Sequence, residues 1–255
     1  MDIVPALMLV AAGVIGGAIS ALVGGAAIVT FPALIAAGLS PVVATATNLV
    51  ALTPGNFLAA LYDRTQLPPL DRAFAGLVAW SLLGAAIGAV LLLLTPERMF
   101  AVLLPALLGF ATVLFAYAGR ISAWLQARAA AQGAGAQRRH RVAAMLPVSI
   151  YGGYFGAGVG VLLLGVLSVG TGGDYRSANV IKNLVTSLNS MVAASIFIWQ
   201  GIVSWPATVA MMAGALLGAY IGARIAQVVP REVMRVVVVA MGALLTAAFA
   251  WRYWL

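Results

Sequence analysis

Residues 20–51 read SALVGGAAIVTFPALIAAGLSPVVATATNLVA, and residues 151–190 read YGGYFGAGVGVLLLGVLSVGTGGDYRSANVIKNLVTSLNS. Each stretch opens on a glycine-rich break, continues through a short apolar run, turns at glycine and enters a longer run that carries asparagine. Gly25, Gly38 and Asn48 are matched by Gly160, Gly173 and Asn183, each 135 positions on (160 − 25, 173 − 38, 183 − 48). Further along, Leu83-Gly84, Gly88 and Pro96 are matched by Leu217-Gly218, Gly222 and Pro230 at a spacing of 134 (218 − 84, 230 − 96), so one single-residue gap reconciles the sets. Agreement in order as well as in residue type points to an internal duplication.

The chain of 255 residues is 64% hydrophobic and only 8% charged, far below the roughly 25% charge of a soluble domain. A spanning helix needs about 20 apolar residues. Apolar runs bounded by Gly, Pro and charge place segments near 3–23, 26–38, 41–62, 72–94 and 97–118. A second series follows near 142–158, 160–171, 177–199, 204–228 and 231–254. The runs at 26–38 and 160–171 fall short of a full crossing and follow glycine breaks. They are expected to be broken or re-entrant helices, tolerated only where protein or a water-filled cavity shields their ends. The fold class expected is therefore an all-α integral membrane protein of two repeats, with about five helical segments each. The start, Met1-Asp2-Ile3-Val4-Pro5, lacks the basic residues of a cleavable signal, and the first run is expected to stay as a helix.

Orientation follows from basic residues in the connections. Arg120, Arg128, Arg138, Arg139 and Arg141 place the central connector in the cytoplasm. Counting outward, the connections at 63–72, 174–176 and 229–235 lie inside, those at 95–98 and 200–204 outside, and both termini outside. Equivalent connections of the two halves then fall on opposite sides, so the repeats are inverted: 1–118 forms the first, 119–141 the connector and 142–255 the second. Inverted repeats with broken helices are a common build of secondary transporters, with the solute site near the midplane. The net charge of +8 reads as topology-setting charge at a lipid surface, with no nucleic acid as partner.

Along 177–199, Asn179, Lys182, Asn183, Thr186, Ser187 and Ser190 recur at i, i+3, i+4, i+7, i+8 and i+11, and so share one helix face. That stripe is either a solute path or hydrogen-bonding glue between helices. Its first-half counterpart is Thr45, Asn48, Thr53 and Asn56, with Pro54 bending the helix; Asn48 and Asn183 are expected to approach a common centre. A lysine inside a membrane segment costs about 2.5–3.5 kcal/mol on insertion scales. Lys182 therefore either contacts an anion or snorkels to the cytoplasmic interface. Gly24-Gly25 and Gly158-Val159-Gly160 either open short helices whose free N–H groups suit an oxyanion, or merely permit close packing. Close packing also accounts for Gly84, Gly88, Gly218 and Gly222. The substrate-binding set is Gly24, Gly25, Thr45, Asn48, Gly158, Gly160, Asn179, Lys182, Asn183, Thr186 and Ser187.

Catalysis has little to work with. The six acidic residues stand near segment ends, His140 is expected in a solvated loop of the connector, and cysteine is absent. No metal, cofactor or catalytic group is expected. Asp63 and Asp71 pair more simply with Arg64 and Arg72 than they relay protons, and Asp174 and Arg176 are expected to set topology or form an ion pair.

The two quoted stretches, with LLGAAIG at 82–88 and LLGAYIGARIAQVVP at 216–230, resemble the sulfite exporter TauE/SafE family over nearly the whole chain. Ala26-Ala27 stands where the commoner family pattern continues in glycine. The resemblance implies a bacterial inner-membrane permease that exports small anions, particularly sulfite and organosulfonates such as sulfoacetate. It carries over to the Gly24-Gly25 break, Pro32, Thr47, Asn48, Gly158, Gly160, Lys182 and Asn183. The function expected is secondary transport of such an anion by alternating access, the alternatives being a passive anion channel or a permease for small carboxylates. The expected partners are the solute and the bilayer, with room for a homo-oligomer.

Overall fold

The computed structural model of the chain describes residues 2–22, 25–62, 64–67, 71–130, 134–168, 175–225 and 231–254. Among the described residues every regular element is a helix. In order they are α1 (Ile3–Leu22), α2 (Ala27–Ala36), α3 (Pro41–Tyr62), α4 (Arg72–Leu94), α5 (Glu97–Ala116), α6 (Ala118–Ala130), α7 (Ala134–Tyr154), α8 (Val159–Ser168), α9 (Tyr175–Trp199), α10 (Trp205–Ile225) and α11 (Arg231–Trp254). Seven of them, α1, α3, α4, α5, α9, α10 and α11, are long and apolar enough to cross a membrane. Their outward faces carry large apolar side chains, with Ile3 76% and Leu94 73% exposed, which lipid accepts and water does not. Trp199, Trp205, Trp251 and Trp254 cluster at helix ends, as expected of an interfacial aromatic belt.

The two short helices have ten residues each, or about 15 Å at 1.5 Å per residue, half the hydrocarbon thickness. The stretch read as a connector is largely helical. After a break at Tyr117, α6 takes up Ala118–Ala130, and His140 falls inside α7 rather than in a loop. Good helix formers (Ala, Arg, Gln, Leu) dominate this stretch, so low hydrophobicity did not mean low helicity. α6 packs on α8. Its Gln126 Nε2 donates to Ser168 Oγ at 3.3 Å, while Trp124 lies exposed under the Arg128 guanidinium, 5.3 Å from the ring centre.

The packing is exchange-related. α1 makes its main contact with α10, and α7 with α4, so the first helix of each repeat expected from sequence lies against the fourth of the other. Likewise α3 packs on α9 at the centre, and α5 on α11. Glycine makes the outer pairs close. A Cβ on Gly214, Gly218 or Gly222 would collide with the backbone of Val10, Val14 or Ala18, and one on Gly84 or Gly88 with that of Leu146 or Ile150. Close packing is therefore what these glycines provide. An aromatic cluster joins α2 to the rest: the Phe31 ring lies 5.6 Å from Phe155 and 6.3 Å from Phe249, and Phe100 lies 6.2 Å from Phe155. It holds the far side of α2 in place and so fixes where the α2 N-terminus points.

Candidate functional site, a buried polar cavity

At the centre, where α3 meets α9, is a cavity of about 50 Å³. That is enough for a few water molecules or one small polyatomic anion. Both short helices begin at its wall, through Ala26 and Ala27 before and at the start of α2 and Val159 and Gly160 at the start of α8. The positive ends of two helix dipoles thus border one space, an arrangement that favours an anion. α3 contributes Asn48 and Asn56, α9 contributes Lys182, Asn183 and Thr186, and Leu49, Leu52, Phe155 and Leu163 supply an apolar remainder.

Lys182 is only 1% exposed, and its Nζ has no hydrogen-bond partner. It does not snorkel. An ammonium has three donors to satisfy, and burying it without acceptors costs several kcal/mol. Asn48 Oδ1 and Thr186 Oγ1, also on the cavity wall, are buried and unpaired too. Other buried polar groups among the described residues, some of them on the same wall, do find partners. Ser81 Oγ donates to Asn189 Oδ1 at 2.9 Å, and Asn189 Nδ2 donates to Ser149 Oγ at 3.1 Å, which ties α9 to α4 and α7. Ser20 Oγ donates to Asn56 Oδ1 at 2.6 Å. Unmet hydrogen-bonding capacity is thus concentrated on α3 and α9.

Of the residues predicted from sequence, Asn48, Gly160, Lys182, Asn183 and Thr186 line the cavity, so both asparagines stand on its wall. Others lie elsewhere. Thr45 Oγ1 donates to the Pro41 carbonyl at 3.0 Å, and Ser187 Oγ to the Asn183 carbonyl at 2.7 Å, so both are satisfied within their own helices. Gly25 faces the Phe115 ring, where a Cβ would come within 2.6 Å of Cζ, and Gly158 faces Ala111. Asn179 sits about a turn before Lys182, off the cavity wall, with its Oδ1 buried and unpaired. Gly24, Asp63, Gly173, Asp174 and Pro230 lie outside the described residues.

Ser20 and Asn189 also line the cavity and were absent from the predicted set. Asn189 had a signal, since it stands seven positions after Lys182 (189 − 182) and three after Thr186 (189 − 186), near the same face. Ser20, alone in an apolar helix, had none.

The turn that delivers α8 to the cavity depends on backbone conformation. Gly156 (φ 80°) and Gly158 (φ 78°) occupy the left-handed region that side chains disfavour, and between them the Ala157 carbonyl accepts a 2.5 Å hydrogen bond from the Tyr151 hydroxyl. Tyr151→Phe removes the donor and leaves a buried acceptor short of a partner. The expected loss is about 1–3 kcal/mol, read as a lower thermal unfolding midpoint in detergent.

Among the described residues, seven helices of spanning length around a buried polar cavity define a multi-pass membrane protein. The family model for "Sulfite exporter TauE/SafE" matches residues 9–249, and the chain belongs to that family. It is similar to a probable membrane transporter protein of Haemophilus influenzae, 25% identical over 242 residues covering 92% of this chain and 90% of the relative. It is also similar to the probable membrane transporter protein YfcA of Escherichia coli K12, 25% identical over 91% of this chain and 85% of the relative. The probable membrane transporter protein ORF9 of a Sinorhizobium species is 27% identical over 84% of this chain and 80% of the relative. No solved structure matches. The protein is a membrane transporter.

Proposed function

We propose that this transporter is a secondary exporter of a small anion, sulfite or an organosulfonate, which binds in the central cavity and meets each side of the membrane in turn. The observation that carries the reading is Lys182, a buried cation without a hydrogen-bond partner on the wall of a cavity where two short helices begin. An anion there would take up the ammonium donors, and Asn48 and Asn183 would offer it amide N–H groups. The exchange-related packing supports two inverted repeats, 1–118 and 142–255, that rock against each other about the site. The arginines of 119–141 support a cytoplasmic connector, with both termini outside, in a bacterial inner membrane.

The test is flux of sulfite and of a monosulfonate such as methanesulfonate in proteoliposomes of the purified protein. Saturable flux with counter-flow is expected, which a passive channel does not give. Asn48→Ala or Asn183→Ala alone should lower it about ten- to hundredfold, the worth of one lost hydrogen bond to a charged group, and the double variant should lower it further. Normal flux in the double variant would remove both asparagines from the site.

A further inference from the structure

Among the described residues the cavity wall carries one ionisable side chain, Lys182, and no carboxylate to balance its ammonium. On the elements packed against α9, the described charged side chains are Arg64, Asp71 and Arg72, all exposed near the start of α4. The titratable tyrosines of α7 are engaged: Tyr151 donates to the Ala157 carbonyl, and Tyr154 donates to Thr95 Oγ1 at 3.3 Å.

The duplication makes this singleness sharper. Asn48 and Asn183 are equivalent (183 − 48 = 135), so the position equivalent to Lys182 is Thr47 (182 − 47 = 135). Thr47 is neutral and fully buried, and its Oγ1 accepts a hydrogen bond from the Ser204 N–H at 3.1 Å. A site with a cation in each half would suit a dianion, but this one has a cation in one half only. The two helix N-termini add a local field that attracts any anion, yet a dipole carries no net charge. A monoanion against the Lys182 ammonium gives a neutral complex in the low-dielectric interior. A dianion leaves one full charge unbalanced there, at a steep cost.

We infer that the cargo is a compact monovalent anion: bisulfite rather than the sulfite dianion, and a monosulfonate rather than a disulfonate or sulfate. This rests on the proposed anion transport through the same cavity. Bisulfite gives way to the sulfite dianion around neutral pH, whereas methanesulfonate stays monovalent and sulfate and methanedisulfonate stay divalent on both sides of neutrality.

The test measures initial uptake of these four anions into proteoliposomes of the full chain, each corrected for protein-free vesicles, on the acid and alkaline sides of neutrality. Methanesulfonate should be carried at least about tenfold faster than sulfate or methanedisulfonate. The ratio of sulfite to methanesulfonate flux should fall by about tenfold per pH unit on the alkaline side, as the bisulfite fraction does. Taking the ratio cancels any titration of the protein itself. Divalent anions carried as fast as methanesulfonate, or a ratio that stays flat or rises with pH, would overturn the monovalent cargo while leaving anion transport standing. Absence of flux for all four anions overturns both.

Discussion

Replacing Lys182 with methionine is expected to abolish anion flux and, at the same time, to make the protein harder to unfold. Methionine keeps the length and straight course of the side chain and removes the charge. Removing one partner of a buried charge pair costs about 2–5 kcal/mol, so flux should fall roughly thirtyfold to several-thousandfold. In the empty protein the same change removes a buried ammonium that has no partner, a gain of about 1–3 kcal/mol. The thermal unfolding midpoint in detergent should therefore rise as transport disappears. Added anion should raise the midpoint of the unsubstituted protein and leave that of Lys182→Met where it is, because a ligand stabilises only the state that binds it. A variant that transports normally, or that unfolds earlier than the parent, would remove Lys182 from the site.

The second large effect is structural. Gly88→Leu and Gly218→Leu each place a side chain where the backbone of a neighbouring helix stands, Ile150 in the first case and Val14 in the second. Neither helix can yield by rotating a side chain, because the collision is with main-chain atoms. A cost at or above about 3 kcal/mol is expected, the upper end for overpacking, with most of the protein failing to reach a folded, detergent-soluble form. Gly76→Ala in the same helix as Gly88 is the control. A Cβ there has nothing within 4 Å, and the change should be neutral or should gain up to about 1 kcal/mol of helix propensity. Size-exclusion profiles and unfolding curves of the three variants decide the matter. Equal behaviour of Gly76→Ala and Gly88→Leu would contradict the close approach of α4 and α7.

Much of this fold was legible because lipid imposes a simple code. A run such as 231–254 has to be a helix, and its limits coincide with Arg231–Trp254. The shortness of α2 and α8 was equally plain from the glycine breaks before them. The helicity of Ala118–Ala130 was not, because apolar length is the wrong signal for a helix that packs beside α8 and carries Arg120 and Arg128. At the site, helical spacing brought Lys182, Asn183 and Thr186 together correctly. It could not show that Ser187 satisfies itself on the Asn183 carbonyl, or that Asn179 falls a turn short of the cavity. Periodicity gives an angle around the helix, whereas the height of a cavity along it is set by the neighbouring helices. The roles of Gly25 and Gly158 likewise depend on what stands opposite them, the Phe115 ring and Ala111, and no local pattern carries that.

The crossed pairing of α1 with α10 and of α7 with α4 also bears on how the molecule is made. The glycine face of α1 leaves the ribosome well before its partner surface around Gly214 and Gly218. Until then that face has only lipid or assembly factors to cover it. α4, by contrast, waits only for α7. Closure of the α1–α10 contact therefore follows the point at which α4 and α7 can already meet, and a chain stopped before α10 leaves the glycine face of α1 without that partner.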